Sequence, residues 1–240
     1  KQKNLMRPTP FNTTDFLRAS TAIGFSAGEA MSTAEYLYQQ GLISYPRTDN
    51  TVFTPTIDLR EILLKLEKVP QLSDLAKKIL AKKELTPSRG KKETKDHPPI
   101  YPANTAKKEN LTEKQWKIYE LVARRFLAVL SDDAKTDNMT VNINLGGEPF
   151  LAHGQVIVDQ GWKEFYPYSK ISETILPELK EKDLLDLKKL EVLEKETQPP
   201  ARYSQSSLIK LMEDLGLGTK ATRHDILGKL YSRHYISGLK

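Results

Sequence analysis

A tyrosine hydroxyl becomes a nucleophile only when its proton is taken, because a free phenol titrates near 10. A guanidinium beside it can grip a phosphate with two parallel hydrogen bonds. It can also stabilise the charge that builds on the non-bridging oxygens. The run Ser44-Tyr45-Pro46-Arg47-Thr48-Asp49 offers that pair. Pro46 disfavours helix at Tyr45, so the segment should be extended or turning, and in an extended segment Tyr45 and Arg47 leave on the same side. The same run also reads as a hydrogen-bonded tyrosine beside an Arg47–Asp49 ion pair.

Three further constellations carry groups suited to a phosphodiester. Asp96-His97-Pro98-Pro99-Ile100-Tyr101-Pro102 holds His97 on a stiff stretch. There it can donate to a phosphate oxygen while Asp96 raises its pKa, or it is a loop histidine without a role. Pro199-Pro200-Ala201-Arg202-Tyr203-Ser204-Gln205-Ser206-Ser207 gathers hydroxyl and amide groups before a helix start. That suits an anion, or simply a cap by Ser204 or Ser206. Gly216-Leu217-Gly218-Thr219-Lys220-Ala221-Thr222-Arg223-His224 joins two helices. Its glycines let the backbone approach a ligand, and Thr219, Lys220, Thr222 and Arg223 offer phosphate donors. A helix–turn–helix corner capped by Gly216 accounts for the same residues.

The elements that must position these groups are legible in part. Helices are expected over 13–22 and from a Ser26–Glu29 capping box through Tyr38, stopped by Gly41. Apolar spacing predicts helices over 56–68 and 73–83, a long loop over 84–104, and a strong helix from Thr112 through Trp116, Tyr119, Phe126 and Leu130. The period then changes. Met139, Val141, Ile143 and Leu145 alternate with polar residues, Gly146-Gly147 reads as a turn, and 150–158 forms the hairpin partner. Residues 170–197 fit short strands turning at Pro177, or a helix. Two helices are expected over 206–215 and 222–233, while residues 1–12, with Pro8 and Pro10, should be extended.

Composition removes several alternatives. The 240 residues contain no Cys and four scattered His, which excludes a disulfide framework, a thiolate zinc site and a Cys nucleophile, and argues against a histidine metal site. No apolar run reaches the roughly 18 residues of a membrane helix, and Lys1-Gln2-Lys3-Asn4 opens no signal-peptide core. The expectation is a soluble intracellular protein. The net charge of +6 is uneven, with residues 51–110 and 198–240 basic and 111–197 acidic between them. Clustered basic charge suits a polyanion such as nucleic acid, or a solvated lysine-rich surface.

Taken together and in order, these motifs resemble a type IA DNA topoisomerase. The run from Gly41 to Asn50 resembles that family's active-site segment. Pro10-Phe11-Asn12-Thr13-Thr14 and Ala34-Glu35-Tyr36-Leu37-Tyr38 resemble its lead-in, Asp96-His97-Pro98-Pro99-Ile100 its histidine motif, and 200–204 with 216–223 its DNA-binding helices. The wording of 44–50 and 97–100 is similar to the archaeal branch. The resemblance implies an α+β multidomain fold. Residues 1–12 would end a β-rich hinge, 13–131 form an α-rich tyrosine domain, 132–197 a β-rich hinge (arch), and 198–240 an incomplete helical base domain. It implies catalytic roles for Tyr45, Arg47 and His97, and DNA contacts by Arg202, Ser204, Gln205, Ser207, Thr219, Lys220, Thr222 and Arg223.

It further implies single-stranded DNA as partner, a cytoplasmic, nucleoid-associated setting, and magnesium as cofactor. The magnesium would be held by an acidic Toprim domain N-terminal to these residues, and no Asp-x-Asp pair occurs here. The chain is therefore expected to be a central fragment that binds single strands weakly and does not cleave alone. Two rivals use some of the same residues: a tyrosine recombinase, and a noncatalytic winged-helix or helix–turn–helix DNA-binding protein.

Overall fold

The computed structural model describes residues 1–169 and 171–238, and among them are eight α-helices and one three-stranded antiparallel sheet. The helices are α1 (Thr13–Ala22), α2 (Ala27–Gln39), α3 (Leu59–Glu67), α4 (Ser73–Leu80), α5 (Glu113–Leu130), α6 (Trp162–Phe165), α7 (Gln205–Asp214) and α8 (Arg223–Ser232). The strands are β1 (Gln2–Leu5), β2 (Ala134–Leu145) and β3 (Glu148–Asp159), with β2 in the middle.

The longest helix organises the core. Thr112 and Gln115 close a capping box at the start of α5, and eleven of its residues, from Trp116 to Leu130, are buried. A helix buried on nearly all faces must be surrounded, and α1, α2, α4 and α6 pack against it. The α2 start follows its sequence signature, with Ser26 and Glu29 closing a second capping box. Helices α7 and α8 dock on α1 and α2 and add Ile209, Met212 and Leu227 to the same core.

Several boundaries differ from the sequence reading. Strand β2 begins at Ala134 rather than Met139, because its inward residues there are Ala134 and Thr136, both fully buried but too small or polar to register as apolar. Residues 2–5, read from the sequence as extended, pair with 134–137 as β1. Helix α6 was not anticipated; Trp162 anchors it by donating its indole N–H to the Leu5 carbonyl at 3.0 Å. For residues 171–197, neither a helix nor strands about Pro177 form. Thr174 makes one bridge to Gln155, and the turn lies at Glu181-Lys182 with Lys182 at φ 72°. Lys170, where that stretch was expected to begin, lies outside the described residues.

The expected loop after residue 83 runs without helix to residue 107, but it is tied down. Gly90 donates to the Thr51 carbonyl at 3.0 Å, and Thr51 donates to the Lys92 carbonyl at 2.8 Å. A Cβ on Gly90 would lie 2.2 Å from Thr51 Oγ1, so the loop can approach residues 50–52 only through a glycine. This attachment brings His97 to the tyrosine segment.

Candidate active site

Helix α2 ends at Gln39, and Gly41 at φ 68° reverses the chain. The chain then runs without helix from Ile43 to Asn50, bending at Pro46, between the start of α1 and residues 94–102. Its even members turn inward: Ser44, Pro46, Thr48 and Asn50 are buried. From Tyr45 on the odd members, Tyr45, Arg47 and Asp49, are half-exposed, while Ile43 before them is buried. This period of two is what an extended segment imposes.

The inward groups are fully bonded. Thr13 and Thr48 exchange hydrogen bonds: the Thr13 amide donates to the Thr48 carbonyl at 2.8 Å, and the Thr48 amide to Thr13 Oγ1 at 2.8 Å. Thr13 Oγ1 also donates to the Pro46 carbonyl at 2.8 Å. Asn50 Nδ2 donates to the carbonyls of Thr94 at 2.9 Å and His97 at 3.1 Å. Ser44 Oγ donates to the Pro99 carbonyl at 3.0 Å and accepts from the Tyr101 amide at 2.9 Å. The segment is clamped along both edges.

The outward groups meet other elements. The Tyr45 ring is flanked by Tyr38 of α2, edge to face at 5.2 Å between centroids, and by His97 at 4.7 Å. Arg47 Nε donates to Glu35 Oε1 at 2.7 Å, and Nη2 forms an ion pair with the same carboxylate. Its Nη1 donates to the Ala221 carbonyl at 2.9 Å. The Arg47–Asp49 pair read from the sequence is therefore replaced: Arg47 pairs with Glu35, while Asp49 lies 3.9 Å from Lys220 Nζ. Asp96 likewise does not serve His97. Its carboxylate accepts from Lys220 at 2.6 Å and from Thr94 at 2.5 Å, and these bonds hold it well below the usual carboxylate range.

The other expected contact residues divide sharply. Arg202 is exposed and, among the described residues, makes no hydrogen bond or ion pair. Ser204 caps α7 and closes a reciprocal box with Ser207, so both hydroxyls are engaged locally. Gln205 Oε1 accepts from the Ala27 amide at 3.1 Å and so caps α2 from outside. Thr219 and Thr222 bond each other, with the Thr219 amide 2.9 Å from Thr222 Oγ1. Arg223 is buried, donating to the carbonyls of Leu217 at 3.2 Å and Gly218 at 3.3 Å and to Thr14 Oγ1 at 3.4 Å. His224 is buried beside it with Nδ1 unbonded, and burial lowers its pKa.

Sequence reasoning missed three contributors. Glu35 and Tyr38 were noted only as part of a lead-in, though their spacing of three puts them on one face of α2. The Ala221 carbonyl could not be found, because a backbone group carries no sequence signal. Among the described residues there is no group of three or more Asp, Glu, His or Cys that could hold a metal ion. No described helix is long and apolar enough to cross a membrane.

A family model described as DNA topoisomerase matches residues 1–240. DNA topoisomerase 1 of Archaeoglobus fulgidus is 53% identical over 233 residues, 97% of this chain and 34% of that protein. Human DNA topoisomerase 3-beta-1 is 35% identical over 239 residues, 99% of this chain and 28% of that protein. The solved structure of full-length topoisomerase I from Thermotoga maritima shares the fold, with a TM-score of 0.72 at 23% identity over 100% of this chain and 40% of that one. The chain spans about a third of the length of the curated relatives it matches. A match running from the first residue to the last favours neither the recombinase nor the small DNA-binding module. The chain belongs to the type IA DNA topoisomerases.

Proposed function

We propose that this chain carries the nucleophile of an ATP-independent topoisomerase that cleaves, passes and reseals single strands of DNA. In the reaction Tyr45 Oη bonds to a backbone phosphorus, the bond from phosphorus to the 3′ oxygen breaks, the tyrosine gives up its proton and the 3′ oxygen gains one. The product is a 5′-phosphotyrosine and a 3′-hydroxyl. The covalent link keeps the phosphodiester energy, so reversal reseals the strand. One observation carries the reading: Tyr45 and Arg47 project together from a segment clamped along both edges, with His97 against the tyrosine ring. Arg47 is the candidate for stabilising charge on the phosphate, and His97 for positioning it.

Residues 13–131 act in this reading as the tyrosine domain, 132–197 with 1–12 as a β-rich hinge, and 198–240 as part of a helical base. The pairing of β1 with β2 supports grouping the first residues with the hinge. Opening the gate parts α7 and α8 from α1 and α2. Arg202, which is exposed, and Lys220, which is ion-paired, are the candidates to take phosphates, whereas Ser204, Gln205, Ser207, Thr219, Thr222 and Arg223 shape the base. The setting is cytoplasmic and nucleoid-associated. Magnesium, needed for the chemistry, is supplied by residues outside this chain.

The test is covalent trapping on single-stranded oligonucleotides labelled at the 5′ or the 3′ end. The chain is mixed with magnesium, with and without an acidic domain from the same gene. The expected adduct carries only the 3′ label, requires the added domain and vanishes in Tyr45→Phe. An adduct carrying the 5′ label, or one that survives Tyr45→Phe, overturns the reading.

A further inference from the structure

We propose that Glu35 and Tyr38 form a positioning platform for the reaction, α2 setting the nucleophile through Tyr38 and its phosphate-binding partner through Glu35. The inference rests on the reading of Tyr45 as nucleophile. Two periodicities meet at this point. Residues three apart on a helix stand on one face, and residues two apart on an extended segment stand on one side. Glu35 and Tyr38 are thus presented together to Arg47 and Tyr45. The contacts are one to one, Tyr38 to Tyr45 at 5.2 Å between ring centroids and Glu35 to Arg47 at 2.7 Å.

The bonding of Arg47 shows why a carboxylate suits this place. Glu35 takes the Nε edge and Nη2, a charge-assisted contact within the tyrosine unit itself. The remaining bond, Nη1 to the Ala221 carbonyl, goes to a neutral acceptor on the turn before α8. A phosphate oxygen is the stronger acceptor, because it adds a negative charge opposite the guanidinium that a backbone carbonyl lacks and can take a bidentate grip. Glu35 therefore anchors the guanidinium while Nη1 stays exchangeable, free to pass from Ala221 to a phosphate. Tyr38 does the matching work for the nucleophile. An outward tyrosine can swing about its first side-chain torsion, and the rings of Tyr38 and His97, both packed against it, restrict that swing. Misplacing a reacting group by about 1 Å costs on the order of a hundredfold in rate.

The test compares Glu35→Ala, Glu35→Gln, Tyr38→Ala and Tyr38→Phe in the full-length gene product. It measures the rate of adduct formation at saturating single-stranded DNA, the DNA affinity and the melting temperature. Glu35→Ala and Tyr38→Ala should each slow trapping about ten- to a hundredfold at saturation, with affinity changed less than about threefold. Glu35→Gln retains an acceptor for Nε, and Tyr38→Phe retains the ring. Each should recover most of its alanine loss. The inference is overturned if the alanine variants trap at the unaltered rate, or lose affinity or melting temperature alone, while Tyr45→Phe abolishes the adduct. It is equally overturned if the conservative variants recover nothing. If Tyr45→Phe still traps, the functional reading fails instead.

Discussion

Two irregular stretches face each other across the site, residues 43–50 and residues 216–223, and they are held by different forces. The first is bound to its own unit by buried backbone and hydroxyl hydrogen bonds through Thr13, Ser44, Thr48 and Asn50. The second meets that unit largely through polar links: Arg47 to the Ala221 carbonyl, Lys220 to Asp96 and Asp49, and, from neighbouring α7, Glu213 to Lys92 and Gln205 to the Ala27 amide. Buried hydrogen bonds cannot be exchanged with water without a large penalty, whereas partly exposed ion pairs are worth less and weaken with salt; among the described residues the one buried link of the second stretch to that unit is Arg223 to Thr14 Oγ1 at 3.4 Å. The apolar part of the second contact is also small. Helices α7 and α8 bury Ile209, Met212 and Leu227, against eleven residues buried by α5. In the proposed function the first stretch stays with the tyrosine and the second parts from it.

The largest effect should come from loosening the stretch that stays. Thr13→Val strands the Pro46 carbonyl and the Thr48 amide in a buried place, at a cost of about 2–4 kcal/mol of unfolding free energy, read from urea denaturation. Asn50→Ala removes the bonds to Thr94, His97 and Val52 and should cost about 1–3 kcal/mol. It should also slow DNA trapping, because it releases the loop that carries His97.

The detachable side should respond to conditions rather than to heat. Burial lowers the His224 pKa, with Asp225, Arg47 and Glu35 facing it from α8, the tyrosine segment and α2. A histidine with a lowered folded pKa contributes stability that is full above its ordinary value near 6.5 and is lost as pH falls below it. Protection of the α8 amides, taken relative to their intrinsic exchange rates, should therefore fall between pH 7 and pH 5, and His224→Phe should flatten that dependence. Asp96, held low by Lys220, loses its share only at far more acid pH. The smallest effect is expected at Arg202: Arg202→Ala should leave the melting temperature unchanged and flatten the salt dependence of single-strand binding by about one unit.

The legibility of the sequence follows the same division. Helices with apolar spacing and side-chain caps, α2 and α5, were readable because both signals lie within one element. So was the side shared by Tyr45 and Arg47, since Pro46 forces extension. What escaped depends on partners distant in the chain. Thr136 reads as a polar strand residue until β1 pairs alongside it, and Arg47 reads as Asp49's partner until α2 brings Glu35 to it. Residues 184–193 alternate leucine and charge well enough to suggest regular structure, yet Leu184 and Val192 are almost fully exposed and no strand forms there. Periodicity proposes a face; only a packed partner makes it an element.

The most direct measurement is residue-resolved hydrogen exchange of the chain at low salt and at about 0.5 M salt, where screening is strong. The Thr48 amide is bonded inside the tyrosine unit, and the Ala27 amide is bonded to Gln205 across the contact. The account predicts that salt speeds exchange at Ala27 at least about tenfold while Thr48 stays as slow as the core of α5. Equal protection of both amides at both salt concentrations would mean that α7 and α8 are fixed to the tyrosine unit, and would contradict the gate.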